Sequence, residues 1–205
     1  MTVTREELLQ DLSYARTLAE EGRRAPLIGG SYLVLFGVLL TIAYSAHAAL
    51  LLGQVEQQWA GAIWMGFGVC AGLGVFLLRG RTKDLPGSSS ISNRADRTVW
   101  NAVSWAILFV VAGALVRGIV FDDYIATFGI MAAGFGLYGV ALYSTAVLSG
   151  HGWLQAFAWL SWALSAAMWV FLGEPWAYVA AAAGAFLVLL VPGLVMMRAE
   201  PSKVV

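Results

Sequence analysis

The sequence predicts an all-α membrane protein, with six transmembrane helices in three hairpins that follow a cytoplasmic amphipathic helix. Two observations carry this prediction. Of the 205 residues, 60% are hydrophobic and only 12% are charged, whereas soluble domains carry about 25% charged residues. The hydrophobic residues also gather in six segments, each close to the roughly 20 residues that a helix needs to cross a bilayer. This composition excludes a disordered chain and an ordinary water-soluble domain.

The N-terminal segment, residues 1–25, is expected to form a cytoplasmic helix rather than a signal peptide, because charged residues occur throughout it. Thr4-Arg5-Glu6-Glu7 matches a capping box, which satisfies free N–H groups at a helix start. An apolar seam at helical spacing follows, formed by Leu8, Leu12, Ala15 and Ala19. Since an isolated helix of about 15 residues is marginal in water, the seam has to be buried, either against a partner or under its own bundle.

The transmembrane domain is expected at residues 26–197, followed by a cytoplasmic tail at 198–205. Pro26 marks the break after the N-terminal helix. Because backbone polar groups in lipid must be hydrogen bonded within their own segment, apolar segments of this length form helices. The spans are expected at residues 27–52, 58–78, 99–120, 124–147, 153–172 and 175–196. Residues 79–98 contain a proline and a serine run and are expected to form a loop.

The positively charged residues set the orientation of the spans. Eleven of the twelve Lys and Arg residues fall in the N-terminal segment, the 79–98 loop or the tail, and Arg117 is the exception. Cytoplasmic loops carry an excess of Lys and Arg, so both termini are expected in the cytoplasm. The expected location is therefore a membrane with both termini of the chain on its cytoplasmic side.

Short outer turns pair the spans into three hairpins, and the second helix of each begins alike. An acidic residue precedes an aromatic one each time, at Glu56 and Trp59, at Asp123 and Tyr124, and at Glu174 and Trp176. Small residues follow in all three helices. This recurrence indicates either a true internal repeat or the general habit of membrane hairpins.

One stretch carries a family resemblance. Residues 152–175 open with Gly152-Trp153-Leu154-Gln155 and close with Phe171-Leu172-Gly173-Glu174-Pro175. Together with the hairpin layout over residues 23–198, this stretch resembles the HdeD-type small bacterial membrane proteins. The resemblance implies three consecutive helical hairpins and an acid-stress membrane role. It implies no catalytic residues.

The expected spans contain no Asp, Glu or Lys. Arg117 lies near the outer end of the third span, where it is expected either to reach the headgroups or to pair with Asp122 or Asp123. Proton pumps and ion-coupled carriers usually need buried charges, so these classes are not expected. Nor does the chain hold a recognisable catalytic motif, so we expect no enzyme, cofactor or metal. Twelve basic and twelve acidic residues balance, which argues against nucleic acid as a partner.

The two histidines are expected at opposite faces of the membrane, His47 near the outer face and His151 in an inner loop, so they cannot share a metal. His47 is either an interfacial residue without a special role or an outer pH sensor. In the second case it titrates against the acidic residues of the outer turns, Glu56, Asp122 and Asp123.

A run of glycines in the fourth span reads G-x-G-x-x-G, at Gly134, Gly136 and Gly139. The dinucleotide-binding motif needs a preceding strand, and these glycines lie inside an apolar span instead. We therefore expect them to let helices pack closely, together with Gly68 and Gly72 of the second span.

Two functional hypotheses follow. The first is a non-catalytic membrane protein, regulatory or structural, whose N-terminal helix engages a protein partner or a second copy of the chain. The alternative is a small transporter, or a substrate-binding membrane subunit, for an uncharged apolar molecule. Six spans in about 200 residues suit the alternative only by analogy of fold.

Overall fold

The structure is a computed structural model that describes residues 9–14 and 26–200. Within these ranges all regular structure is helical, and five helices are long and apolar enough to cross a membrane. The predicted all-α class is confirmed, and the apolar helices are compatible with an integral membrane protein.

Six apolar helices follow one another along the chain. They are α1 (Gly30–Leu51), α2 (Ala60–Thr82, preceded by a 3-10 turn at Gln57–Trp59), α3 (Ile91–Phe121), α4 (Ala126–Ser149), α5 (Leu154–Val170) and α6 (Pro175–Ala199). α5 has 17 residues and is shorter than the other five. At 1.5 Å per residue it is about 25 Å long, which is close to the thickness of the hydrocarbon layer.

The centre of the bundle consists of α1 packed against α6 and α4 packed against α5. α2 lies against α1 and α3 lies against α4, so these two helices form the edges. The expected hairpin of α5 with α6 packs less extensively than these pairs. The core lies where the central helices meet, around the buried side chains Met131, Phe135, Leu142, Leu154, Met168 and Leu189.

The bundle has two ends. The end that carries Pro26 and Glu200 is called the proximal end here, and the end that carries the turns after α1, α3 and α5 is called the distal end. Contacts between the start of α1 and the last residues of α6 define the proximal end, since Gly30 lies against Met197. Stacking of Tyr178 near the start of α6 on His47 near the end of α1 places both residues at the distal end.

α1 and α6 approach each other backbone to backbone. A Cβ atom added at Gly37 would lie 2.5 Å from the backbone nitrogen of Leu190. One added at Gly193 would lie 2.7 Å from the backbone nitrogen of Val34. Such distances leave no room for a side chain, so these two glycines are what lets the two helices touch.

α6 changes its helix type once along its length. The segment Phe186–Leu190 is a π-helical turn between Pro175–Ala185 and Val191–Ala199. Pro192 lies two residues after the turn, and because proline has no N–H the carbonyl of Val188 loses its α-helical partner. Gly184, before the turn, faces Phe135 of α4 and Leu164 of α5, whereas Gly193, after it, faces α1.

The predicted loop at residues 79–98 is too long. α2 continues to Thr82 and α3 begins at Ile91. Ser90 caps α3, because its hydroxyl accepts a hydrogen bond from the Asn93 N–H at 3.2 Å. Asp96, which the prediction placed in the loop, lies in α3 and is only 6% exposed. A carboxylate is therefore buried in α3, three residues before the expected span at 99–120.

Of the expected N-terminal helix, residues 9–14 are described, and they are helical and exposed. Within the seam this covers Leu12, which is 66% exposed. Leu8, Ala15, Ala19 and the capping box at residues 4–7 lie outside the described residues, as does the tail from residue 201.

Candidate functional site

Polar side chains are buried mainly at the proximal end of the bundle. They are Ser31, Thr82, Ser92, Asn93, Asp96, Thr145 and Ser149. Among the described residues Ser161 is the exception, and its hydroxyl donates to the carbonyl of Phe135 at 2.6 Å between α5 and α4. Four side chains at this end, those of Asn93, Asp96, Trp100 and Thr145, are called the proximal polar cluster below.

Asp96 is the centre of this cluster. Its carboxylate accepts a hydrogen bond from the Thr145 hydroxyl of α4, and the Trp100 indole donates to the same hydroxyl oxygen at 3.3 Å. A Cβ atom at Gly29 would lie 3.4 Å from Asp96 Oδ2, so the segment before α1 also contacts the carboxylate. A buried carboxylate costs free energy unless it is hydrogen bonded. An ionisable residue inside a membrane helix is the usual marker of a functional site.

Asn93 lies one helical turn before Asp96, on the same face of α3. Its Oδ1 accepts from the Ile28 N–H at 3.0 Å. Its Nδ2 donates to the carbonyl of Pro26 at 2.9 Å and to that of Gly87 at 3.0 Å. This one side chain therefore fastens the segment that enters α1 to the loop that precedes α3.

Glu200 connects the end of α6 to the start of α1 at the proximal end. Its carboxylate accepts from the Ser31 N–H at 3.3 Å and so sits at the N-terminus of α1, where the helix dipole favours negative charge. Burial raises the pKa of Glu200, and the N–H groups of Ser31 and Gly30 together with the charge of Arg81 oppose that rise. The end of α6 is thus tied to the start of α1 by a titrating group.

Aromatic rings gather at the distal end, in a group called the distal aromatic cluster. It joins Tyr44 and His47 of α1, Trp64 of α2, Phe128 of α4 and Tyr178 of α6. The ring centroids of Tyr44 and Trp64 are 5.5 Å apart, and those of Phe128 and Tyr178 are 5.2 Å apart, both edge to face. Four helices therefore meet through ring contacts at this end, in a geometry that aromatic pairs favour.

His47 lies inside the distal aromatic cluster. The Trp64 indole donates a hydrogen bond to its Nδ1 at 3.1 Å, and its ring stacks on Tyr178 with 4.2 Å between centroids. Because Nδ1 accepts a hydrogen bond, the neutral ring carries its proton on Nε2. No sequence pattern indicated these partners, since His47 and Trp64 belong to different helices.

Two of the three acidic residues that were expected near His47 have other partners. Glu56 accepts from the side-chain amide of Gln58. Asp123 pairs with Arg117 at 2.7 Å, which is one of the two predicted arrangements for that arginine. Asp122 ends α3 in a left-handed conformation, with φ 53°. In the described part of the chain the structure gives His47 two aromatic partners in place of these acidic ones.

The glycines that were expected to pack against other helices fall into two groups. Gly134, Gly136 and Gly139 of α4 form the first group. A Cβ atom at Gly136 would lie 3.3 Å from Ser165 Oγ of α5, and Gly139 lies directly against the Trp162 indole of α5. Gly134 is buried, and a Cβ there would meet Tyr138 of its own helix at 3.9 Å.

Gly68 and Gly72 form the second group. A Cβ at either would meet nothing within 4 Å. The helix contact expected at these two glycines is therefore not formed within the described chain. The reason is that α2 turns a different face toward α1, where Phe67 packs on the core, Ala71 is buried and Gly74 lies against Leu35.

Within residues 9–14 and 26–200, no group of three or more His, Cys, Asp or Glu residues is placed to hold a metal ion. No protein-family model, curated protein or solved structure matches the chain. The two clusters and the exposed N-terminal segment are therefore the observations from which a function has to be inferred.

Proposed function

We propose that this chain is a non-catalytic integral membrane protein, a regulatory or structural subunit that engages a protein partner through its N-terminal helix. The proposal includes six membrane spans, with α5 as the fifth along the chain and the shortest. It also places both termini in the cytoplasm of a bacterial cell, which the distribution of Lys and Arg supports.

The exposure of Leu12 is the observation that carries this proposal. Leu12 is 66% exposed and its neighbour Leu9 is 57% exposed, although both belong to a helical segment. Burying one leucine side chain contributes about 1.5–3 kcal/mol. The described bundle does not provide that burial, which supports an intermolecular partner over packing under the bundle.

The charge of the segment favours protein over lipid as the partner. Residues 1–24 contain four basic and five acidic residues, a net charge of −1. Anionic lipid attracts helices with a basic polar face. A second copy of the chain, or a different membrane subunit, fits an apolar seam of this charge better than the bilayer surface does.

The proximal polar cluster holds the first described residues that follow the N-terminal segment. Asn93 holds Pro26 and Ile28, which are the first described residues after that segment. The side chain of Asn93 therefore links α3 to the start of the membrane domain, next to the N-terminal helix in the sequence. This supports a regulatory or structural role for that helix close to the membrane domain.

Native mass spectrometry in mild detergent tests the proposal with a pair of matched variants. Leu12→Asp places a charge in the seam, and Gln10→Asp places the same charge at an exposed position outside it. We expect the wild type and Gln10→Asp to have the mass of a complex with a partner or a second copy. Leu12→Asp should have the mass of the monomer alone. A wild type that is monomeric and free of other subunits contradicts the proposal. A stoichiometric small molecule bound to that monomer would support the transporter alternative.

Cysteine labelling tests the proposed orientation independently. Cys70→Ser removes the single native cysteine, and single cysteines are then introduced at Gln57 or at Ser89, both of which are exposed. A membrane-impermeant reagent applied from outside the cell should modify the cysteine at position 57 and spare the one at position 89. Labelling at position 89 from outside would contradict the proposed orientation, because residue 89 would then lie outside the cell.

A further inference from the structure

α2 is the helix least enclosed by the rest of the bundle. Of its residues, Ala71 and Thr82 alone are classed as buried, and it packs chiefly against α1. Two side-chain hydrogen bonds tie it to α1. At the proximal end Thr82 and Tyr32 share one of 3.3 Å, and at the distal end Trp64 donates to His47.

The distal hydrogen bond depends on the protonation of His47. Trp64 Nε1 is a donor only, and the neutral imidazole offers Nδ1 as its acceptor. When a proton from solvent adds to the Nδ1 lone pair, Nε2 keeps its own proton, and both ring nitrogens become donors. Two N–H groups then face each other, and the bond between α1 and α2 is lost.

His47 lies close to the distal end of the bundle. His47 is partly exposed and lies one turn before the end of α1 at Leu51. Histidine changes its charge between about pH 5 and pH 8 unless its surroundings shift it strongly. The distal side of the membrane is therefore where a change of pH would act on this bond.

The groups that face His47 decide what moves after protonation. From α6 the face of Tyr178 stacks on the imidazole, and from α2 Trp64 faces it with an N–H. The neighbouring titratable group on α1 itself is Tyr44, whose ring contacts both Trp64 and Tyr178. An imidazolium stays favourable against the electron-rich face of a tyrosine. It has no such attraction to an opposing N–H, so α6 keeps its contact and α2 loses one.

We propose that the His47–Trp64 hydrogen bond is a pH-dependent latch that holds the distal half of α2 against α1. Protonation of His47 opens the latch and lets the distal half of α2 move away from α1 and α6. The proximal half stays in place through Thr82 and Tyr32. This device is independent of the N-terminal helix and of its partner.

Electron–electron distance measurements between two spin labels test the latch. In a Cys70→Ser background, labels are attached to cysteines at Gln57, at the distal start of α2, and at Trp176, which is 65% exposed at the start of α6. We expect the distance to lengthen and broaden from about pH 8 to about pH 4.5, a range that brackets histidine titration. His47→Gln keeps an acceptor that does not titrate, so its distance should stay short at both pH values. His47→Phe removes the acceptor, so its distance should be long at both.

The same distance in the wild type at both pH values would overturn the latch. So would a pH-dependent lengthening that persists unchanged in His47→Gln. Nitrogen NMR of the unlabelled wild-type chain provides a check without any label, because the chain has two histidines and His151→Ala identifies the signal of His47. A protonated Nε2 and an unprotonated Nδ1 at about pH 8 are expected, and the opposite tautomer would also overturn the proposal.

Discussion

α1 has two neighbours that contact it in opposite ways, and the neighbour with fewer glycines makes the closer contact. α6 meets α1 backbone to backbone, at Gly37 and Gly193, where no side chain fits. α2 meets α1 through side chains such as Trp64 and Phe67. Most of its glycines point into open space, namely Gly61, Gly66, Gly68, Gly72 and Gly80. The comparison teaches that a glycine pattern identifies a close helix contact only when the facing helix is also known.

The largest expected effect is at the backbone contact of α1 with α6. Gly37→Leu places a side chain against the backbone of Leu190, which cannot rotate away. Overpacking usually costs about 1–3 kcal/mol, and we expect the upper end of that range. Unfolding followed by circular dichroism in detergent measures the loss. A variant as stable as the wild type would mean that the two backbones are not in contact.

A much smaller effect, of opposite sign, is expected on the exposed face of α2. Gly68→Ala and Gly72→Ala meet no atoms, and alanine favours a helix by up to about 1 kcal/mol over glycine. Each variant should therefore unfold at the same temperature as the wild type or slightly above it. A clear loss of stability in both would show that this face is covered in the native membrane.

The smallest effect is expected at Glu200, which is partly exposed and therefore screened by solvent. Its folded pKa is raised from the ordinary value of 4.5. The folded protein is therefore most favoured below that value and loses stability as the pH rises through the folded pKa. Glu200→Gln keeps an acceptor for the Ser31 N–H and does not ionise. We expect it to melt slightly above the wild type at about pH 7 and together with it at about pH 4, and the reverse order at pH 7 would contradict this.

The helices themselves could be predicted from the sequence because their signal is local. The length and hydrophobicity of an apolar segment can be read from that segment alone. The structure has an apolar helix at each of the six predicted segments. The start of α3 differs from the prediction, because a proline and a serine run indicate a loop over residues 79–98 while the helix begins within that range. Ser90, the last residue of the serine run, is the N-cap of α3.

The partners of each helix could not be predicted, because that information is not local. Asp96 and Thr145 are far apart in the sequence, and nothing in either segment identifies the other. The same holds for His47 with Trp64 and for Gly37 with Leu190. The role of such a side chain depends on its protonation state and on the residue that faces it. A single sequence does not show which residues face each other.

The π-helical turn at Phe186–Leu190 sets the phase of the last part of α6. A π turn accommodates about one extra residue relative to an α-helix, and each residue turns an α-helix by about 100°. If the same residues wound as a regular α-helix instead, the segment that follows would be rotated by about that angle relative to the rest of α6. Gly193 would then turn away from α1, and Glu200 would leave the N-terminus of α1. The π-helical winding of this one turn therefore fixes which face of the final helical segment meets α1.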